Sequence, residues 1–390
     1  MDLISFVKDA SMQTQQLRFS NGHWDQAISL DTSKPQQILV LLFGNLPLYQ
    51  EAITSLQQQL PLAFYIGATT SGEISQDQVI DNGLVATLIA FSNTSIRMTT
   101  QQVDMPQESY ETGKRLAHEL LGDDLKLVMV LSDGLNVFGS DLTQGLVDNL
   151  PKEVAITGGL AGDNFLFRQT HTLAQDHISS KQVVAIGLYG RALKVSHGSR
   201  GGWLPFGPDR LITASDGHEL LELDHQPALT VYKEYLGDKV EGLPASGLRY
   251  PLEISQVGHS TKLVRTMLAV NEDHQSITFA GGIPVGATAR LMRANVESII
   301  NGAASAIEVC LESHDNPQLA ILISCVGRKQ LLKQMIDEEL DIVKERLNHD
   351  TQVCGFYSYG EIAPFDDKHQ AELHNQTMTI TCISELCTDY

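Results

Sequence analysis

The chain comprises 390 residues, 42% of them hydrophobic and 19% charged, with 27 Lys and Arg set against 47 Asp and Glu for a formal charge of −20. That length allows two or three folded units, each able to bury a core without disulfide or metal staples. The acidic excess, with no segregated basic patch, excludes proteins that track a polyanion, so neither nucleic acid nor an anionic membrane is an expected partner.

The amino terminus, MDLISFVKDA, has no basic region leading into an apolar one and does not read as a secretory signal. Residues 1–35 are a lead-in. QQILVLLF (residues 36–43) reads as a buried strand, and Pro47 sits in the first turn of a helix that reaches Leu60. The apolar run stops at Gly44, Asn45 and Pro47, well short of the ~20 residues that span a bilayer, so the expected protein is soluble, cytoplasmic and not membrane-inserted. A second strand through Leu62 to Ile66 enters the turn GATTSGEI (residues 67–74). A third, Leu84 to Phe91, follows the Asp81-Asn82-Gly83 turn.

The same order recurs twice. A weaker copy has a strand at Lys126 to Leu131, a helix near Asp141 to Leu150, a strand at Val154 to Thr157, the turn GGLAGDN, and a strand from Val183 running on to Val195. Near the carboxy terminus come a strand at Leu319 to Val326, one long helix from Lys329 to Leu347, the segment VCGFYSYGEI, and a strand from Leu373 to Ile383. In that helix Leu332, Ile336, Leu340, Val343 and Leu347 fall on one face, with Lys333, Asp337, Glu338 and Lys344 off it, the pattern of a helix packed on a sheet. The first and last turns match as Gly-x-x-x-x-Gly-Glu-Ile. The expected fold is therefore α/β, in α+β layers: two lobes of mixed sheet packed with helices and built from duplicated β-α-β-β units, divided into domains at residues 36–225 and 226–390.

The glycine-rich turns resemble the start of a phosphate loop, but Glu73 and Glu361 stand where that loop needs Lys, and a carboxylate repels a phosphate. Each Glu either caps neighbouring amides or faces a ligand. No serine has glycine two residues away on both sides, so there is no nucleophile elbow. His118-Glu119 and His218-Glu219 each begin HELL without completing HExxH, and read as helical surface residues. The five cysteines, Cys310, Cys325, Cys354, Cys382 and Cys387, show no CxxC spacing and read as reduced, mostly buried thiols. Cys325, at a strand end beside Gly327-Arg328, is the one that could be activated. Two segments look like pocket lining. Ser196-His197 runs into GSRGGWLPFGP with Trp203 and Phe206, and GLPASGLRYPLEI carries Arg249, whose guanidinium can fork a carboxylate.

Taken in order, GATTSGEI, LSDGLN, GGLAGDNF, YKEYLG, VNEDHQSITFAGGIPVGATARLM, SCVGRK, GFYSYGEIAPF and LHNQT resemble the FIST family, with its FIST-N module followed by its FIST-C module, over roughly Gln36 to Ile383. The resemblance implies a small-ligand sensory domain of intracellular signal transduction, acting by binding and not as an enzyme. Stand-alone bacterial members include haem-binding nitric-oxide sensors that regulate a histidine kinase, which this chain would do in trans.

With no CxxCH or Cys-Pro, a haem b would be held non-covalently through an imidazole. Of the 13 histidines, His197 is the first candidate metal ligand, His259 the second and His374 the third. Arg249 is the candidate partner of a propionate, and Trp203 or Phe206 of the ring. The alternatives are a haem-free sensor of an amino-acid-like metabolite, using Arg249, and a thiol enzyme using Cys325. A homodimer is left open, and the acidic charge favours a neutral or basic partner surface such as a kinase domain.

Overall fold

The computed structural model describes residues 12–76, 78–256 and 262–386. Three apolar runs, ILVLLF, KLVMVL and LAILIS, have no polar side to offer solvent, and each becomes an inner strand of a separate sheet. The first unit is β1 (Met12–Ser20), β2 (Ile38–Gly44), α1 (Leu46–Gln59), β3 (Phe64–Thr69), the hairpin β4 (Glu73–Ser75) and β5 (Gln78–Ile80), and β6 (Leu84–Phe91). The second is β7 (Ser95–Gln102), α2 (Ser109–Leu120), β8 (Leu125–Ser132), α3 (Gly139–Val147), β9 (Ala155–Leu160), the hairpin β10 (Thr172–Ala174) and β11 (His177–Ser179), and β12 (Gln182–Tyr189).

The third unit opens with β13 (Leu193–Arg200) and is then interrupted by a small lobe. The lobe contains β14 (Arg210–Asp216), β15 (Glu219–Leu223), α4 (Ala228–Leu236), β16 (Leu252–Ser255), β17 (Lys262–Arg265), β18 (Met267–Asn271), β19 (Ser276–Phe279) and β20 (Thr288–Arg293). The unit resumes with α5 (Val296–Ser313), β21 (Leu319–Cys325), α6 (Val326–Leu332), α7 (Ile336–Lys344), β22 (Gln352–Ser358), the hairpin β23 (Gly360–Pro364) and β24 (Ala371–His374), and β25 (Met378–Glu385).

In every unit the inner strand runs parallel to the strand after its helix and antiparallel to the unit's last strand, beyond which the first strand adds. The hairpins are exchanged. β4 pairs with β22 of the third unit, β10 with β3 of the first, and β23 with β9 of the second. A ring of backbone hydrogen bonds closes the same cycle: Ser71 N to Tyr357 O (2.9 Å), Gly162 N to Thr69 O (2.8 Å) and Tyr359 N to Leu160 O (3.1 Å). At two equivalent crossings the backbone comes so close that only glycine fits. A Cβ on Gly158 would lie 1.8 Å from Val130 O and one on Gly355 1.7 Å from Leu322 O, at φ of +150° and +149°.

Alternation along the strands sends one set of side chains to a core shared by all three sheets, with Leu41, Met129, Ile321 and Phe356 among them. The other set meets helices: α1 on the first sheet, α2 and α3 on the second, α5 and α7 on the third. Each Leu, Ile or Phe fully buried there contributes about 1.5–3 kcal/mol relative to exposure. The small lobe keeps a core of its own around Ile212, Leu229, Ile277 and Phe279.

The repeated unit is present in three copies, two of them in the amino-terminal half as the motifs indicate. Residues 12–35 contribute β1. The 225/226 division lies inside the small lobe, between β15 and its partner Gln226–Pro227, and the hairpin exchange ties together what stands on either side of it. Three expected elements divide where a residue takes positive φ. The strand from Val183 breaks at Gly190 (φ +145°), so that Leu193–Arg200 enters a different sheet; the long helix breaks at Lys333 (φ +52°); and the strand from Leu373 breaks at Gln376 (φ +62°). The apolar helix face survives its break, with Leu332, Leu340 and Val343 buried.

Candidate functional site

A cleft of about 580 Å³ separates the three-unit body from the small lobe. Its body wall carries Leu135 and Phe138 from the loop after β8, Phe165 and Phe167 from the loop after β9, Tyr359 from the β22–β23 turn, and Cys325 at the start of α6. The lobe wall carries His218 from the β14–β15 turn, Thr266, Leu268 and Phe279. Its size falls within the ~300–1,000 Å³ of small-molecule sites, and an apolar lining with few polar groups is the usual composition of such a site.

Aromatic contacts build the walls. Phe138 of the body meets the His218 ring of the lobe at 4.5 Å between centroids, and Phe167 stacks on Tyr359 at 4.7 Å with 16° between planes. The Tyr359 hydroxyl donates to Asp163, whose carboxylate also accepts from the amides of Phe167, Arg168 and Gln169. Burial lowers the His218 pKa, against the Asp141 charge and with the Arg265 charge, so the imidazole is neutral at pH 7. A neutral ring keeps a lone pair on one nitrogen for a ligand. Burial pushes the Cys325 thiol far above its ordinary range, with Glu361 adding to the effect, so no thiolate forms there at neutral pH.

The lobe is joined to the body through residues 201–203 and 294–295, and Arg328 holds the first connection and the first turn of α5 just after the second. Its guanidinium donates to Gly201 O (2.5 Å) and Ile299 O (2.8 Å) and pairs with Glu339, both side chains being 0% exposed. Glu339 also accepts from the Tyr357 hydroxyl at 2.9 Å and from Ser324. Across the same seam Gln376 donates to Leu248 O, and Arg265 of the lobe donates to Leu373 O of the body.

The residues singled out from sequence do not converge on this cleft. His197 lies in β13 at 3% exposure, with Nε2 lacking a partner and Nδ1 3.5 Å from Thr381 Oγ1; burial lowers its pKa to about 4. It borders a different recess of about 400 Å³ among Lys126, Lys194, Asp366 and Asp367, where no aromatic side chain offers a porphyrin a face. Trp203, 9% exposed, packs with Ile299 and Leu332 and donates Nε1–H to Gln376 O at 2.8 Å. Phe206 belongs to the lobe's core beneath Arg293, and Arg249 is exposed. His374 is buried on Phe365 with its Nε2 2.8 Å from Ala363 O, while His259 lies outside the described residues. As a set, these residues do not fit a haem.

Glu73 and Glu361 take the capping role. Glu73 accepts from Thr70 Oγ1 (2.6 Å) and Gly83 N, and Glu361 from Ser358 Oγ (2.8 Å) and from the amide and hydroxyl of Thr377. Of the two HELL segments, His118 is on the exposed side of α2 as expected, but His218 is in a hairpin turn and not a helix. The Asp216-Gly217 pair before it was the available sign of that turn. Cys310, Cys325, Cys354 and Cys382 are free and buried. Among the described residues no group of three or more His, Cys, Asp and Glu is placed to hold a metal ion, and no helix is long and apolar enough to cross a membrane.

Comparison with known proteins bears on the chain as a whole. Family models for the FIST N domain and the FIST C domain match residues 38–226 and 228–364. An uncharacterised protein of Methanocaldococcus jannaschii is 23% identical over 380 residues, covering 86% of this chain and 71% of the relative. Among solved structures, cyanuric acid hydrolase from A. caulinodans aligns over 96% of this chain and 99% of its own at 8% identity, with a TM-score of 0.37, too slight a likeness to bear on fold or function.

Proposed function

The chain belongs to the FIST family of small-ligand sensory domains in signal transduction, and on that footing we propose that its ligand site is the cleft between body and small lobe. The observation that carries this is the aromatic-walled cavity with one half-buried, neutral imidazole. We further propose haem b as the group it holds, with His218 in place of His197 as the iron ligand. The apolar walls suit a porphyrin face, and the Phe138 ring, 4.5 Å from the His218 ring between centroids, packs against the imidazole.

Bound there, haem would supply an iron able to take up nitric oxide. The contribution of this chain is to hold the imidazole, exclude water with Phe138, Phe167 and Tyr359, and couple the lobe's position to the body through the backbone that Arg328 grips. A histidine kinase acting in trans reads the ligand only if it binds the two lobe arrangements with different affinity. The same reading is of a cytoplasmic binding module that is not an enzyme, and the protonated Cys325 thiol weighs against the thiol-enzyme alternative.

Haemin titration followed by visible absorption tests the assignment. A sharp Soret band is expected with the natural chain and with His197→Ala, and its loss with His218→Ala. No band in the natural chain overturns haem, and an unchanged band in His218→Ala overturns the ligand assignment.

A further inference from the structure

We infer that the ligand of this cleft is an apolar molecule carrying an anionic head, and that the head sits beyond Phe165 against Lys333. The inference rests on the cleft being the ligand site, as proposed above, and not on the ligand being haem. Phe165 borders two cavities: the apolar cleft, and an adjoining recess of about 430 Å³ whose remaining walls are all polar, with Ser71, Asn82, Asn164, Lys329 and Lys333 among them. A molecule reaching from one into the other meets hydrocarbon first and cations second.

The charges are arranged by sign. The lobe end of the cleft carries Asp216 and Glu219, which would repel an anion, while the recess carries two lysines and one carboxylate, Asp81. Lys329 is already engaged, donating to Ser71 O at 2.6 Å and pairing with Asp81. Lys333 has neither hydrogen bond nor ion pair among the described residues, and its backbone, at φ +52°, marks the break between α6 and α7 that leaves it at the recess. Among the described residues lining the recess, the one free charge is thus positive.

The partition is strained. Asn164, Phe165 and Phe167 take φ of +57°, +65° and +49°, a region that bulky aromatic residues rarely adopt and that costs of order 1–3 kcal/mol per residue. Asp163 sustains it by accepting three backbone amides and the Tyr359 hydroxyl, and the outcome is a pair of rings, Phe165 edge-on to Phe167, standing at the boundary of the apolar and polar spaces. On the lobe side of the cleft the Thr266 hydroxyl, at 6% exposure, has no partner among the described residues, a buried polar group that a ligand atom in the cleft would satisfy. Strain concentrated at one boundary and an orphaned hydroxyl on a residue that lines the same cleft are independent signs of a ligand there.

Two fluorophores with the same aromatic body test this: 1-anilinonaphthalene-8-sulfonate, which carries an anion, and neutral N-phenyl-1-naphthylamine. In low salt the sulfonate should bind the natural chain more tightly. Lys333→Gln should weaken it by ~3–5-fold, the size of an exposed ion pair, and leave the neutral probe unchanged. Leu268→Trp, which narrows the cleft at a half-exposed position, should weaken both. If Lys333→Gln does not alter the ratio of the two affinities while Leu268→Trp weakens both, the head-group inference falls and the cleft stands. If neither probe binds, or Leu268→Trp affects neither, the cleft itself falls.

Discussion

Removing the charge of Glu361 should stabilise the protein in alkali and leave it nearly unchanged in acid. The carboxyl, near the start of β23, is fully buried, and burial raises its pKa from 4.5 to about 8, against hydrogen bonds from Ser358 and Thr377 and the Arg328 charge. Below pH 4.5 both folded and unfolded chains carry the proton. Between 4.5 and about 8 only the folded chain keeps it, so stability falls as pH rises, at ~1.36 kcal/mol per unit. Across that window the loss approaches ~4–5 kcal/mol, and water reaching the carboxyl reduces it. Glu361→Gln keeps the shape of the protonated acid and removes the titration. Urea unfolding at pH 5 and pH 8.5 should therefore give similar midpoints for variant and natural chain at the lower pH and a higher midpoint for the variant at the upper. Equal destabilisation of Glu361→Gln at both values would show the carboxylate ionised in the folded state and refute the reasoning.

Arg328→Met leaves Glu339 buried without its partner and frees the first connection to the small lobe and the first turn of α5. A loss of ~3–5 kcal/mol in urea unfolding is expected, together with faster proteolysis near Gly201, and Arg328→Met with Glu339→Leu should recover part of the stability. Gly355→Ala forces a Cβ against Leu322 O at positive φ, and should cost more than ~3 kcal/mol in unfolding or leave the chain insoluble. The same change at Gly282, where nothing lies within 4 Å, should be tolerated.

The repeat was legible because strand burial and turn chemistry are local. ILVLLF and LAILIS are apolar on both faces, and GATTSGEI and GFYSYGEI need glycine at the same crossing, so two turns declare one design over a separation of 288 residues (Gly67 to Gly355). Breaks were less legible. Lys333 and Gln376 adopt positive φ although neither residue type announces it, and the helix stripe through Leu332 and Leu340 continues across the interruption. The site was least legible. His197 and Trp203 have the neighbours of pocket residues in sequence, yet the sheet buries one and the body's packing the other, while His218 sits in a segment that reads as helix and forms a hairpin turn.

Sequence by itself determined the α/β class, the repeated unit, the formal charge of −20 and the resemblance to the FIST family, all properties carried by residue type and short-range order. Only the tertiary structure decided that the three units close through exchanged hairpins, that the third is interrupted by a lobe, and that a cleft forms between lobe and body. Those outcomes depend on pairings such as β4 with β22, and on contacts such as Phe138 with His218, between residues far apart in the chain. Hydrophobic pattern decides which face a strand buries, whereas the partner it buries that face against is settled by the packing of the whole.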